Sequence, residues 1–403
     1  MTENKVKQAL LLAGGMGTRL KPFTDDNPKP MYPVGGRPFI GHLLDQIEDF
    51  GIEEVILLLG YKAEKIIEYI EQEWKKEPVT HSLNVVVDVT PVEYDTGARI
   101  KNVQALLQSE FLLMYCDNYC TIDFERLCCD YYRNNAKIQL TAYENRDGYT
   151  KDNLIISTDG CVTCYDKKRE TLGLKGVDIG YAIVSKQCVE EFDVENDNFE
   201  KYTYPRLVKE GKLFATVTKH RYYSVGSWER IKLTKEFFGN SKTIFLDRDG
   251  TLNVRPPKAC YVEKIEDFVW LPGAIEAIRL LKEKNYRIIL VSNQPGIARG
   301  NLTEETLQEI NEKMQSDLQE QIGYRIDDIF FCPHNWDEGC ECRKPKPGMF
   351  FIAQKKYSIN LVKCYMIGDD ERDIEAANAA GMKSKLVDGE YTILDAVTEI
   401  LSQ

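Results

Sequence analysis

Two aspartates one residue apart, Asp247 and Asp249, follow the apolar run Ile244, Phe245, Leu246 and precede Gly250. Such a run reads as a buried parallel strand, and strand direction carries both carboxylates to the carboxyl end of a sheet, where open α/β folds bind ligands. Two acids placed there repel each other unless a cation or a reaction needs them. Downstream, S-N-Q-P-G-I-A-R-G (292–300) sets a hydroxyl, Ser292, at a strand end, followed by the side-chain amides of Asn293 and Gln294 and by Arg299. That is a phosphate-binding arrangement. Cys332, His334, Cys340 and Cys342 form C-x-H-x5-C-x-C, and Arg343, Lys344 and Lys346 follow at once. Four soft or borderline ligands this close suit a closed tetrahedral zinc site with a structural role, and the cations suit the phosphate next door.

A second chemical region opens the chain. The short strand Ala9 to Ala13 ends in G-G-M-G-T-R-L (14–20). Gly14, Gly15 and Gly17, with Thr18, let backbone N–H groups close on a triphosphate, and Arg19 adds a cation. Lys29 stands between Pro28 and Pro30, which stiffen the loop that holds its ammonium near phosphate. Further on, the apolar stretch Phe111 to Tyr115 leads into Asp117.

The elements that must position these groups alternate as an α/β fold requires. A helix is expected over 40–50, a strand over 54–59, a charged helix over 63–75 and a strand over 83–87. A hairpin turns at Asp159-Gly160. In the second region, a helix is expected over 273–283 and strands over 287–291 and 329–331. A chain of 403 residues suits two domains, here 1–239 and 240–403. The formal net charge of −12 argues against nucleic acid or an anionic membrane as partner. The amino terminus lacks a signal-peptide core and no apolar run is long enough to span a bilayer, so a cytoplasmic protein is expected. The 12 cysteines are scattered and suit a reducing compartment. Self-association into a homo-oligomer is left open.

G-G-x-G-T-R-L-x-P-x-T with the later P-K-P-M resembles the signature of the sugar-phosphate nucleotidyltransferases, over roughly residues 6–238. The resemblance implies that Arg19 and Lys29 are catalytic, that Asp117 binds magnesium and that Gly97, in D-T-G-A, lies against the nucleobase. It implies sugar-phosphate contacts by Lys167 or Lys168, of which Lys168 is taken, and by Asp178 in V-D-I-G-Y. One departure is Ser224, in Y-S-V-G-S, where the family commonly has a second magnesium-binding aspartate; Asp178 or a substrate phosphate is the expected replacement.

D-x-D-G-T resembles the nucleophile motif of the haloacid dehalogenase phosphatases. With S-N-Q-x-G-I-A-R-G and C-R-K-P-K-P-G-M it is similar to the D-glycero-D-manno-heptose 1,7-bisphosphate phosphatases, relatives of histidinol phosphatase. The resemblance implies Asp247 as nucleophile, Asp249 as general acid and base, and Ser292 and Lys344 around the phosphoryl group. Magnesium would sit on Asp247, Asp369 and the carbonyl of Asp249, and Asn293, Arg299 and Arg343 would contact substrate. Asp370 stands where the close family often has lysine, so either substrate phosphate binding is weakened or Lys346 substitutes.

Together these imply two Rossmann-like α/β domains: a nucleotidyltransferase-type mixed sheet, then a parallel phosphatase sheet with a zinc loop. The implied function is bifunctional. The second half converts a sugar bisphosphate to a sugar 1-phosphate, and the first joins a sugar phosphate to NMP from a nucleoside triphosphate, GTP being favoured. The alternatives are a CTP-dependent enzyme for another sugar or polyol phosphate, and an amino-terminal half that is a silent binding module.

Overall fold

A computed structural model describes residues 6–76, 81–239, 242–257 and 260–402. The chain divides into two compact units, Met1–Lys235 and Glu236–Gln403. The division falls inside the helix Trp228–Phe238, just before the boundary expected at 239/240. Residues 240 and 241 of that junction, and residues 1–5, lie outside the described residues.

The first unit is built on strands β1 (Gln8–Ala13), β2 (Glu54–Leu59), β3 (Asn84–Val89), β4 (Glu110–Tyr115), β5 (Ile138–Tyr143), β6 (Val177–Ser185) and β7 (Leu213–Thr218). Their order across the sheet is β7-β5-β6-β4-β1-β2-β3. β1 runs parallel to β2 and β4, whereas β6 runs antiparallel to β4 and β5, so the sheet is mixed. Every residue of β1 is buried, as a central strand covered on both faces demands. The charged helix after β2 spans Ala63–Gln72 and stops short of the expected residue 75. Trp74 is fully buried beyond it and donates Nε1–H to Asp45 Oδ1 at 2.9 Å, so a tertiary anchor overrides helix continuation. The expected hairpin is present as Leu154–Ile156 against Val162–Tyr165, with Gly160 at φ +86°.

The second unit holds β8 (Thr243–Leu246), β9 (Arg287–Asn293), β10 (Asp328–Cys332), β11 (Tyr365–Gly368) and β12 (Lys383–Leu386), all parallel, in the order β10-β9-β8-β11-β12. Along β8, Ile244 and Leu246 enter one apolar layer and Phe245 the other, which is strand periodicity with both faces covered. β9 runs two residues past its expected end because Ser292 and Asn293 pair with Phe331 and Cys332. Asp247 therefore leaves the central strand between the ends of β9 and β11. Among the described residues no helix is long and apolar enough to cross a membrane.

Candidate active sites

In the first unit, the loop after β1 carries Gly14, Gly15 and Gly17. Gly17 is left-handed at φ +63°, and a Cβ there would lie 3.0 Å from Lys29 Cβ. A Cβ on Gly15 would meet nothing within 4 Å, so that side of the loop is open. Thr18 and Arg19 follow in a short 3-10 turn, Thr18–Leu20. The Lys29 ammonium lies 2.6 Å from Asp117 Oδ2, and both side chains are mostly buried. Burial opposes the charge on Lys29, yet Asp117 beside it holds its pKa above the ordinary lysine value. The strand pair Asn118–Tyr119 and Tyr223–Ser224 sets Ser224 opposite Asn118. A Cβ on Gly226 would lie 3.0 Å from Ser224 Oγ, 3.8 Å from Arg19 Nη2 and 3.9 Å from Asp117 Oδ2. Arg19, Lys29, Asp117 and Ser224 thus share one corner. Ser224 accepts the Gly226 N–H there at 3.0 Å.

Three further residues expected in this site have partners within the unit. Gly97 lies at the start of the helix Thr96–Asn102, where a Cβ would stand 2.3 Å from Phe192 Cζ and 2.5 Å from the Asp197 carbonyl. Close packing inside the unit is a sufficient reason for glycine at that position. Asp178 sits with Glu200; burial, then the Glu200 charge, pushes its carboxyl up to about 7. It accepts the Gly180 N–H at 3.0 Å. Lys167, exposed like Lys168, donates to Glu200 Oε2 at 3.3 Å and Asn198 Oδ1 at 2.6 Å and so reaches this cluster.

The second unit gathers its acids around Lys344. Its ammonium lies 2.6 Å from Asp247 Oδ1 and 2.5 Å from Asp373 Oδ1, and donates to the Val291 carbonyl at 2.8 Å. Burial pushes the Asp247 carboxyl up to about 7 against the pull of Lys344, and Asp369 up to about 6 against Arg255. Oxygens of Asp247, Asp369 and Asp373 all lie within 4.8 Å of one another, a hard-donor set of the kind magnesium takes. Gly250, at φ +98°, is needed here, since a Cβ would stand 1.8 Å from Asp369 Oδ2. Asp249 turns its carboxylate elsewhere. Arg248 donates to both its oxygens at 3.0 Å, Asn253 at 3.0 Å and Gln294 at 3.1 Å. Burial opposes ionisation, but these donors hold Asp249 below the usual carboxylate range. At rest it is ionised.

A cavity of about 400 Å³ opens over these acids, with Ser292, Asn293, Arg299 and Arg343 in its wall. Gln294 donates to Ser292 Oγ at 2.8 Å. Asn293 clamps the Lys344 backbone, its amide donating to the Lys344 carbonyl and accepting the Lys344 N–H, each at 3.0 Å. Lys346 does not enter the cavity wall. It donates to the Gly339 carbonyl at 3.2 Å and Glu341 Oε1 at 3.1 Å. The cations beside Asp370 are instead Arg255, at 2.6 Å, and Arg372, at 2.8 Å. Sequence reasoning assigned no role to Asp373 or Arg248, and Gln294, expected at the phosphate, instead bonds Ser292 and Asp249. Asp373 was the legible one, three residues after Asp370 in G-D-D-E-R-D, the spacing of a capping box in which Asp370 is the N-cap and Asp373 its N3 partner.

Cys332, His334, Cys340 and Cys342 converge on one point. Cys332 Sγ lies 3.6 Å from Cys340 Sγ and 3.3 Å from Cys342 Sγ, and His334 Nδ1 lies 3.5 and 3.3 Å from Cys332 and Cys342. A tetrahedral ion about 2.3 Å from each sulfur would set them roughly 3.8 Å apart, so the group fits zinc with a small expansion. This loop also touches the cavity. Arg299 donates through Nε and Nη2 to Asn335 Oδ1 at 3.1 and 2.9 Å, and Arg343 to the His334 carbonyl at 3.3 Å.

Comparison with known proteins divides along the same line. The nucleotidyl transferase family model matches residues 8–158, and the HAD-hydrolase-like model matches residues 341–398. D-glycero-β-D-manno-heptose-1,7-bisphosphate 7-phosphatase of Haemophilus ducreyi is 42% identical over 152 residues, covering 36% of this chain and 82% of that one. HddC from Yersinia pseudotuberculosis, solved with GMP-PN, is 29% identical over 57% of this chain and 99% of that one, at TM-score 0.47. A Bacillus anthracis structure provisionally named a glucose-1-phosphate thymidylyltransferase is 13% identical over 57% of this chain and 93% of that one, at TM-score 0.51, a likeness of fold.

Proposed function

We infer that this chain, which over 36% of its length belongs to the D-glycero-β-D-manno-heptose-1,7-bisphosphate 7-phosphatase family, is a bifunctional enzyme that makes a nucleotide-activated heptose. The phosphatase half removes the 7-phosphate of a heptose 1,7-bisphosphate. The nucleotidyltransferase half joins a sugar 1-phosphate to the NMP of a nucleoside triphosphate, with GTP as the favoured donor, and releases pyrophosphate. A single observation carries the reading: each unit holds a mostly buried lysine against an aspartate beyond the carboxyl end of a strand of its own sheet, Lys29 on Asp117 and Lys344 on Asp247, each at 2.6 Å. Such pairs suit phosphoryl chemistry, which needs positioning and charge balance more than covalent help.

In the phosphatase, Asp247 attacks phosphorus and becomes an aspartyl-phosphate as the ester oxygen leaves. Lys344 balances the charge on Asp247 and Asp373, and Ser292 and Asn293 bound the phosphoryl pocket. A phosphate dianion arriving beside Asp249 raises its proton affinity by like-charge repulsion, so it takes up a proton from solvent water and passes it to the leaving alkoxide. It then takes a proton from the water that hydrolyses the aspartyl-phosphate. Magnesium held by Asp247, Asp369, Asp373 and the Asp249 carbonyl would supply charge neutralisation between nucleophile and phosphate. Zinc on Cys332, His334, Cys340 and Cys342 would have a structural role.

In the other half, Arg19 and Lys29 face the triphosphate over the glycine loop, and Asp117 would seat magnesium with help from substrate phosphates. A second reading, a silent binding module, is favoured by one observation: Ser224 sits beside Asp117 with its hydroxyl bonded to the Gly226 N–H. The test is phosphate release from heptose 1,7-bisphosphate together with pyrophosphate release across four NTPs and a sugar-phosphate panel. GTP with heptose 1-phosphate is the expected productive pair. Release with CTP alone rejects GDP-heptose, and none with any pair supports the silent module.

A further inference from the structure

Arg99 lies in the helix Thr96–Asn102 with only 4% of its surface exposed, and its acceptors are chiefly backbone carbonyls. Nη1 donates to Leu59 O at 2.8 Å. Nη2 donates to Gly14 O at 3.3 Å, Pro91 O at 3.0 Å and Val92 O at 3.3 Å. Nε donates to Tyr94 O at 3.0 Å, and Thr90 Oγ1 accepts as well. These acceptors are the residue after β1, the last residue of β2 and the loop after β3. One guanidinium therefore closes the carboxyl ends of three neighbouring strands. A Cβ on Gly14 would lie 2.3 Å from Arg99 Cζ, and one on Gly60 2.7 Å from Nη1. The first glycine of the loop thus makes room for arginine.

We propose that Arg99 is the positioning residue of the nucleotide loop: by tying the Gly14 carbonyl to those of Leu59, Pro91, Val92 and Tyr94, it holds residues 14–18 in the conformation that offers their N–H groups to a triphosphate. The proposal rests on the reading that this loop takes the nucleotide. A guanidinium presents five donors in a fixed plane, whereas a lysine is a single point, so Arg99→Lys keeps the charge and loses the clamp. Burying a cation on carbonyl dipoles also places positive potential under the expected phosphates.

The test uses the full chain as wild type, Arg99→Ala and Arg99→Lys. Amide hydrogen exchange is expected to quicken by about tenfold or more at residues 13–18 and 90–95 in both variants, with β5 and β7 unchanged. With whichever of ATP, CTP, GTP or UTP the wild type uses, KM for the nucleotide is expected to rise about tenfold while KM for the sugar phosphate and kcat stay within about twofold. Millimolar guanidinium is expected to restore Arg99→Ala and not Arg99→Lys. Unchanged exchange, exchange raised throughout the unit, or both KM values rising together would overturn the proposal. A wild type that releases no pyrophosphate with any NTP refutes the nucleotidyltransferase reading instead, and the exchange pattern still decides whether Arg99 sets the loop.

Discussion

The ammonium of Lys344 stands 2.6 Å from Asp247 Oδ1, with the lysine 3% and the aspartate 11% exposed along their side chains. Asp373 contacts the same ammonium from its other side at 2.5 Å. Replacing the lysine by methionine keeps the volume and leaves two buried carboxylates without their cation. Lys344→Met is expected to lose about 3–5 kcal/mol of stability in this unit. The rate of phosphate release is expected to fall by about a hundredfold or more. Thermal unfolding and phosphate release check both, and a variant of wild-type stability would show that the pair contributes little.

Acid stability follows from the same cluster. Burial holds Asp247 near 7 and Asp369 near 6, above the unfolded value of about 3.9. Between about pH 4 and these native values the folded state binds more protons than the unfolded one, so these two groups make stability fall as pH rises through that window. Magnesium favours the ionised acids, so its stabilising effect is expected to grow over the same range. Melting temperatures at about pH 4.5 and about pH 7.5, with magnesium or with chelator, should show a larger magnesium gain at the higher pH. A gain independent of pH would mean that the ion does not sit on these carboxylates.

Ser224 offers a gain-of-function test. Its Oγ and the Asp117 carboxylate approach the same point above Gly226. Ser224→Asp would add a hard oxygen donor beside Asp117, and the magnesium concentration needed for half-maximal pyrophosphate release is expected to drop by about tenfold. An inactive variant with unaltered folding would place the metal away from this corner.

The cysteine loop is expected to bind one equivalent of zinc per chain, measured by elemental analysis. Cys342→Ser should lose it, because metal binding and local folding are one equilibrium in such sites. The KM for bisphosphate is expected to rise more than the KM for a simple aryl phosphate, since Arg299 and Arg343 bond to the loop and Asp247 does not. Equal loss with both substrates would make the loop a general stabiliser.

Much of this was legible in the residues themselves. Asp247, Asp249, Ser292, Lys344 and the four metal-type ligands sit at strand ends or in one short loop, where spacing along the chain translates directly into proximity. What failed to show depended on long-range partners. Gly97 packs on Phe192 and Asp197, Lys167 and not Lys168 reaches Glu200, and Lys346 binds Glu341 while Arg255 crosses to Asp370. Local pattern fixes neither which of two adjacent side chains finds a distant partner nor what a strand end meets across the sheet. The mixed sheet was anticipated as a type, and its order β7-β5-β6-β4-β1-β2-β3 came only from packing.

Arg299 and Arg343 are tethered to Asn335 and to the His334 carbonyl, whereas the acids and Lys344 are fixed by the ends of the sheet. On the proposed reading, choice of ester and bond cleavage would be carried by separable pieces of chain. Grafting a different segment between 332 and 342 would redirect which phosphorylated compound is accepted without rebuilding the reaction centre. Divergence within this scaffold has a short path: the loop can drift while the strand-end acids stay put.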